Sequence, residues 1–515
     1  MAIKKNIIFF IIVFSLIFSY IPELLQASFL AGALAPKLTI YPLIFAFGFT
    51  VFYRKNFSLS LVERKTLTKF FAVYLVVMLL SLVYGLIEYP YYSVILHGPA
   101  NQIEKLPKVY SLLTENGIFV TKQGLFSVWM LGRPIKNLVV ETFWTFGLSI
   151  LVYAWYKNDF RNGFHVFLKG VFASVVVVVL YGFLDMTYLS GSNMATNILM
   201  VINPLVHDVK AGGTWWPPLL WNGQLRSIFA EPSYYGIFGS FALPWIWYIY
   251  STVKNTRNRL IIWGIMYFFV LFLFLTRSRT ANMLILGEFA LLFFFIIIGF
   301  LKSKKTTFFV FLCGVLAFGT SLVFFNYGIE QSSQSMTAVS YMKDNIGSLA
   351  NMDQRSNRSR YSIMIADLKI GLDHPFLGVG PSLRNAYIPK YLPDKEHLSN
   401  ETKEWITNQK EKGILRSGFP ELGEYTSRFA ETGILGLLVF MTPPFYLIWR
   451  LIRFIRMNKK NMTREFNVVI YFTISFLGVL AAGIGDTLNI FYSYWLLLGL
   501  GYALLHHITS DRLMG

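Results

Sequence analysis

The sequence predicts an all-α integral membrane protein: a bundle of about twelve transmembrane helices with one large, partly helical extracytoplasmic loop. Three observations predict it. Of 515 residues, 55% are hydrophobic and 14% charged, where a soluble domain carries about a quarter charged residues. The deficit runs the whole length, so apolar side chains must face outward as well as inward, and lipid accounts for that. Apolar runs near the roughly 20 residues that a bilayer core demands recur along the chain. Basic residues gather in alternate links between those runs.

Candidate spans lie near 6–22, 31–52, 68–88, 138–156, 164–185, 231–252, 259–276, 280–300, 307–327, 428–449, 466–482 and 488–507. Pro36, Lys37 and Pro42 interrupt the second. The first has the outline of a signal peptide, with Lys4 and Lys5 before it and small residues at Ala31–Ala35 after it. Its length and the charge pattern favour a retained helix. Lys4 and Lys5 open one series of basic links. It continues with Arg54, Lys55, Arg64, Lys65 and Lys69, then Lys157/Arg161, Lys254/Arg257/Arg259, Lys302/Lys304/Lys305 and the run from Arg450 to Arg464. With twelve spans all of these share one side, and the positive-inside rule makes that side the cytoplasm, with both termini in it.

Three long links then lie outside, at about 89–137, 186–230 and 328–427. The expected organisation is helices 1–9 over 1–327, the large extracytoplasmic loop over 328–427, and helices 10–12 with a short cytoplasmic tail over 428–515. No internal repeat is visible, which argues against a transporter built from repeats. The net charge is +19, yet no basic soluble module is present, so membrane lipid rather than nucleic acid is the expected partner of that charge. Cys313 is the only cysteine. That excludes intrachain disulfides and cysteine-cluster metal sites.

Within the large outer loop, residues 359–372 read as a helix. Ile363, Ala366 and Ile370 recur at helical spacing, and Leu368 and Leu372 widen that face. Ser356 or Asn357 is the expected cap, and Asp373-His374-Pro375 the expected end, because proline disfavours helix in the residue before it. Such a helix is expected to rest on the membrane surface or on the bundle top. Gly378-Val379-Gly380-Pro381 follows as a tight turn.

Charge stands where the positive-inside trend does not put it. Thr276-Arg277-Ser278-Arg279-Thr280 joins two apolar runs almost without a spacer, on the outer side. An arginine within a span costs about 2.5–3.5 kcal/mol on insertion scales, so two of them point to an anionic partner; snorkelling to lipid headgroups is the plainer reading. A second cluster holds Arg226 and Glu231 just before Pro232, which suits a helix start. Upstream stand Trp215, Trp216 and Trp221, placed for sugar stacking or for an interfacial aromatic belt. A third cluster spaces Glu424, Arg428 and Glu431 along one helical face, as a ligand group or as a simple ion pair. Arg360, on the outer-loop helix, joins these candidate ligands.

All three clusters lie at outer helix ends and each brings arginine, which grips phosphate in a bidentate fork and keeps its charge. A lipid-linked diphosphate presents its phosphates at this level. Arginines there are suited to hold it and to stabilise it as a leaving group. Glu231 or His374 is placed to take a proton from an attacking sugar hydroxyl, although His374 also suits a plain polar cap after a helix.

At these residues the chain resembles the bacterial O-antigen polymerase/ligase superfamily. Arg226 to Pro232 (R-S-I-F-A-E-P) is similar to the family's arginine-plus-Glu-Pro segment. Thr276 to Ala281 (T-R-S-R-T-A) is similar to its Ser-Arg turn, with Arg279 on the family's arginine. His374 to Gly380 (H-P-F-L-G-V-G) resembles the Pro-x-x-Gly-x-Gly after the outer-loop helix. Ala430 to Gly436 (A-E-T-G-I-L-G) resembles the entry to the next span. The likeness runs over about 200–440. The ligases' His-Asn about nine residues before Glu-x-Gly is absent, since Pro420-Glu421-Leu422-Gly423 stands there, and this leans the resemblance toward a polymerase.

The resemblance implies a glycosyltransferase outside the cytoplasm. A glycan on polyprenyl diphosphate passes to an incoming lipid-linked repeat unit of a capsule, exopolysaccharide or O-antigen. Arg226, Arg279, Glu231 and His374 are then catalytic candidates. Arg277, Arg428, Glu424, Glu431, Arg360, Trp215, Trp216 and Trp221 are substrate ligands. The donor is already activated, so no cofactor and no metal are expected, and neither a Walker-type loop nor a clustered Asp-x-Asp is present. A flippase and a chain-length regulator are the implied protein partners. A ligase is the rival within the class. A flippase is the rival outside it, but that would place charge deep in many helices.

Overall fold

A computed structural model gives the fold and describes residues 2–99, 102–208, 223–301, 304–327, 337, 339–341, 355–394, 397–459, 464–488 and 491–510. Trp215, Trp216 and Trp221 lie outside the described residues. Among the described residues the structure is helical, with no strand. Eight of the described helices are long and apolar enough to cross a membrane: Leu61–Ile87, Lys122–Tyr156, Phe160–Leu189, Thr256–Leu275, Arg279–Ile297, Lys305–Tyr327, Glu424–Met457 and Arg464–Ala482. The chain is a multi-pass helical membrane protein.

Four of the twelve expected spans are not among these eight, for two reasons. Ala2–Ser15 and Ile40–Phe52 have 14 and 13 residues. At 1.5 Å per residue each is about 20 Å long, short of a hydrocarbon core of about 30 Å. Between them the chain breaks into short turns, Glu23–Leu25, Ser28–Ala31 and Gly32–Leu34, ahead of Pro36 and Lys37. Pro232–Thr252 and Tyr492–Ser510 are long enough, at 21 and 19 residues, but Tyr, Trp, Ser and Gly dilute their apolar content. Both are walled in by other helices, with Trp245, Trp247 and Trp495 fully buried, so neither needs a face made for lipid.

Polar contacts define one end of the bundle. Lys5 Nζ lies 3.2 Å from Asp159, Lys157 Nζ 2.6 Å from Glu63, and Arg161 3.1 Å from Glu465. A ring nitrogen of His506 is 3.0 Å from the Lys157 carbonyl oxygen. The first helix, three of the basic links and the end of the last helix therefore meet at one end. The opposite end carries the segments rich in the motifs above. Helix Lys122–Tyr156 has 35 residues, about 52 Å, so it outreaches the bilayer, and its first turns lie within the outer link expected at 89–137.

The outer-loop helix runs from Arg355 to Asp373 and ends where the proline rule puts the end. It starts earlier than expected, so Ser356 and Asn357 stand inside it rather than at its cap. Ile363, Ala366 and Ile370 are fully buried, packed on the start of helix Glu424–Met457. A Cβ at Gly371 would come within 2.2 Å of the Phe429 ring, which shows how closely the two helices approach. Leu368 and Leu372 are 43% and 68% exposed. They do not widen the packed face, because the three buried positions already fill the contact.

Candidate functional site

Two motif segments form one joint. Val379 N donates to the Ala430 carbonyl at 3.0 Å and Gly380 N to the Glu431 carbonyl at 2.8 Å. In return Ile434 N donates to Pro375 O at 2.8 Å and Leu435 N to Phe376 O at 3.3 Å. The helix is broken for this purpose at Gly433, whose φ of 61° and ψ of −168° are not helical. Ser81, from helix Leu61–Ile87, closes the joint with a hydroxyl that donates to Leu377 O at 2.6 Å and Glu431 O at 3.0 Å. Backbone meets backbone here, which is why glycines punctuate both motifs. A Cβ on Gly378 would lie 2.3 Å from the Glu431 carbonyl carbon, and one on Gly433 2.3 Å from that of Phe376.

A charged cluster gathers at helix ends away from the basic end of the bundle. Glu231 caps the helix that Pro232 begins, and its carboxylate accepts from Ser233 Oγ at 3.2 Å. Arg360 reaches across from the outer-loop helix and donates to the carbonyl of Gly485. Its charge bears on both Glu231 and Asp486. Lys37, only 6% exposed, sits 5.3 Å from the Tyr234 ring and faces Asp486 and Glu231. Two cations and two carboxylates from four separate parts of the chain thus share one site.

Burial dominates the protonation of this cluster. Desolvation lowers Lys37 to about 8, against the pull of Asp486 and Glu231. It raises Asp486 to about 6, with Arg360 opposing. It also raises Glu231, again opposed first by Arg360. A carboxylate moved toward neutrality is a better matched proton acceptor than an ordinary one.

Next to it lie the remaining motif segments. Leu225 N donates to Leu275 O at 3.1 Å, which pins the Arg226 segment to the turn carrying Arg277 and Arg279. Helix Pro232–Thr252 packs so tightly on the start of helix Arg279–Ile297 that a Cβ at Gly236 would come within 2.5 Å of Ala281 Cα. Arg277 adopts φ 49° and stacks 5.3 Å from the Phe325 ring centre. Arg226 is not at the surface: it is 1% exposed. One carboxylate oxygen of Asp185 accepts from Arg226 N (3.2 Å) and Ser227 N (2.6 Å). His207 is buried beside it, and burial, reinforced by the Arg226 charge, lowers it to about 3, which keeps the ring neutral.

The third cluster is interior. Arg428 pairs with Glu424, lies 3.2 Å from Glu141 and covers the Phe440 ring at 3.9 Å. Glu424 also accepts from Leu488 N at 2.7 Å. Glu431 points the other way, and its Oε1 accepts from Ser382 N at 3.0 Å. A bidentate pair that the sequence did not suggest, Arg384 with Asp367, is buried in the same region. His374 stands one residue past the outer-loop helix, fourteen positions from Arg360, about 21 Å along the axis. Its ring packs on Tyr387, with centroids 6.0 Å apart.

The structure therefore brings Glu231 and Arg360 together, docks the Arg226 segment against the Arg277/Arg279 turn, and leaves His374 at the far end of its helix. Lys37, Asp486, Asp185 and Glu141 were missed. Lys37 left a signal, as a charge inside an apolar run; Asp486 left another, as a lone acid between two apolar runs. Among the described residues no group of three or more His, Cys, Asp or Glu side chains is placed to hold a metal ion.

No curated protein matches the chain. Residues 264–408 match a family model, Wzy_C, described as O-antigen ligase, in a family that covers ligases and polymerases alike. The matched stretch takes in Arg277, Arg279, Arg360 and His374 but stops short of Arg226 on one side and Glu424 on the other. The match over residues 264–408 is a similarity consistent with the O-antigen polymerase/ligase superfamily that the motifs resemble.

Proposed function

We propose that the protein polymerises lipid-linked oligosaccharide repeat units into a surface polysaccharide on the outer side of the cytoplasmic membrane. The observation that carries this reading is the meeting of Arg360 and Lys37 with Glu231 and Asp486 at the outer helix ends. Arg360 and Lys37 hold the diphosphate of the donor and stabilise it as it departs. Asp486 or Glu231 takes the proton of the acceptor hydroxyl as its oxygen attacks the anomeric carbon. The bond from that carbon to the diphosphate oxygen breaks, and polyprenyl diphosphate leaves with the electron pair. Arg279 and Arg277 line the approach, while Arg226, buried on Asp185, positions the segment that ends in Glu231. The basic end of the bundle is the cytoplasmic one, with both termini there.

The absence of the ligases' His-Asn at Pro420–Gly423 supports polymerase over ligase. Electrophoresis of surface glycan from a deletion strain, complemented with Asp486→Asn or Arg279→Ala, tests the reading. The expected result is single repeat units and no long chains, with the variant proteins still inserted. Full-length chains left on the lipid carrier identify a ligase instead. Repeat units trapped on the cytoplasmic face identify a flippase. Full-length surface glycan from both variants sinks the site.

A further inference from the structure

On the outer face a cleft of about 230 Å³ opens between the first turns of helix Lys122–Tyr156, the short helix Arg384–Tyr391 and the loop 413–418. Its wall is fixed by Asn385. The amide Nδ2 donates to Ile414 O at 2.7 Å and Ser417 O at 2.9 Å, and Oδ1 accepts from Phe419 N at 2.8 Å. A Cβ on Gly418 would collide with that amide at 2.6 Å, so glycine is what lets the loop close on it. Asn385 is committed to the wall and has little left for a ligand.

Positive charge is what faces the opening. Arg133 donates Nη2 to Leu415 O at 2.7 Å and lies 5.9 Å from the Trp129 ring. A guanidinium has five N–H donors, and among the described residues that one bond leaves most of them for the cleft. Arg416, paired with Glu104, lines the opposite side. Among the described residues no carboxylate lines the cleft. A neutral sugar is matched by donors and acceptors together, whereas a fork of donors on a fixed wall suits a carboxylate or phosphate. The volume is below the roughly 300–1,000 Å³ of drug-sized sites, so it suits one charged unit rather than an oligomer. Ser382 ties the cleft to the motif joint, since it lines the cleft and gives its amide to Glu431.

We propose that this cleft is a specificity subsite for an acidic sugar, a uronic acid in the glycan being handled, with Arg133 as the residue that reads its carboxylate. The proposal rests on the glycan-transfer reading above. Its test is a binding titration of the full chain in neutral phosphatidylcholine nanodiscs, with trigalacturonate and with maltotriose, a neutral trisaccharide of equal length. The expected result is saturable binding of trigalacturonate, weakened at least tenfold in Arg133→Gln and partly restored in Arg133→Lys, with no binding of maltotriose. Equal binding of both sugars, no binding of the uronate, or unchanged uronate binding in a folded Arg133→Gln overturns it. So does Arg133-dependent binding of phosphatidylglycerol nanodiscs without uronate binding, which makes the anion a lipid headgroup. Turnover plays no part in this assay. If Asp486→Asn and Arg279→Ala both make full-length glycan while the uronate result holds, the transfer reading falls and the subsite stands.

Discussion

Arg428 lies 3.2 Å from Glu141, a carboxylate 287 positions earlier in the chain. With Glu424 on its other side the guanidinium is already neutralised, and its side chain is 11% exposed. Removing a buried partner strands the others, at a cost of about 3–5 kcal/mol. Arg428→Ala is therefore expected to lower the melting temperature of the purified protein sharply. Arg428→Lys should restore little, because an ammonium does not match the fork. A variant that melts like wild type yet loses glycan synthesis would instead make Arg428 a substrate ligand.

The Lys37–Asp486 pair sets a pH window under the proposed roles. Asp486 gains its charge as pH rises through about 6, and the carboxylate is the form that accepts a proton. Lys37 loses its charge as pH rises through about 8, and the ammonium is the form that binds diphosphate. Transfer measured with lipid-linked repeat units should rise across the first value and fall across the second, as a bell. Lys37→Arg should move the alkaline limb upward, since guanidinium stays protonated. An unmoved limb assigns it to another group.

His374 is expected to be dispensable for chemistry. Some 21 Å of helix separates it from Arg360, and its ring is occupied with Tyr387. His374→Ala should retain activity within a few-fold, while Asp486→Asn should lose roughly 10²–10⁴-fold, the usual worth of a general base. The two variants assayed side by side decide it; the reverse ranking moves the base to His374.

Gly378→Ala and Gly433→Ala should each open the motif joint. Both positions have positive φ, at 67° and 61°, where a side chain costs about 1–2 kcal/mol, and both new methyls meet backbone that cannot swing away. Faster trypsin cleavage of the outer loop in intact membranes is the expected sign, along with lost glycan. Gly117→Ala, at a glycine with positive φ but open space around it, serves as the control and should leave the joint closed.

The sequence carried the membrane class, the basic end of the bundle and the outer-loop helix, because hydropathy, charge alternation and helical spacing are local. It also carried Glu231 and Arg360 as candidates, since charge near an apolar helix end is visible in one dimension. What it did not carry is pairing. Nothing local says that Lys37 faces Asp486, or that Arg428 answers to Glu141, because those neighbours are created by helices crossing hundreds of positions apart. The count of twelve spans is not confirmed, for a related reason: eight helices among the described residues are long and apolar enough on their own. Pro232–Thr252 and Tyr492–Ser510 are sheltered by other helices, and a sheltered helix need not look like one that meets lipid. Ala2–Ser15 differs in another way: its apolar run continues to residue 18 while its helix does not, and no single window shows where hydrogen bonding stops.

The joint between 375–380 and 430–435 makes these two stretches one inheritable part. Each is shaped to the other's main chain rather than to its side chains, so neither tolerates a foreign counterpart that bends differently. An engineer who swaps the outer loop for that of another protein matching the same family model should cut before Arg355 and after Gly436, taking the kinked helix entry along. Cuts inside that interval would bring together halves that were never fitted, and the chain would fail at assembly before its specificity was ever tried.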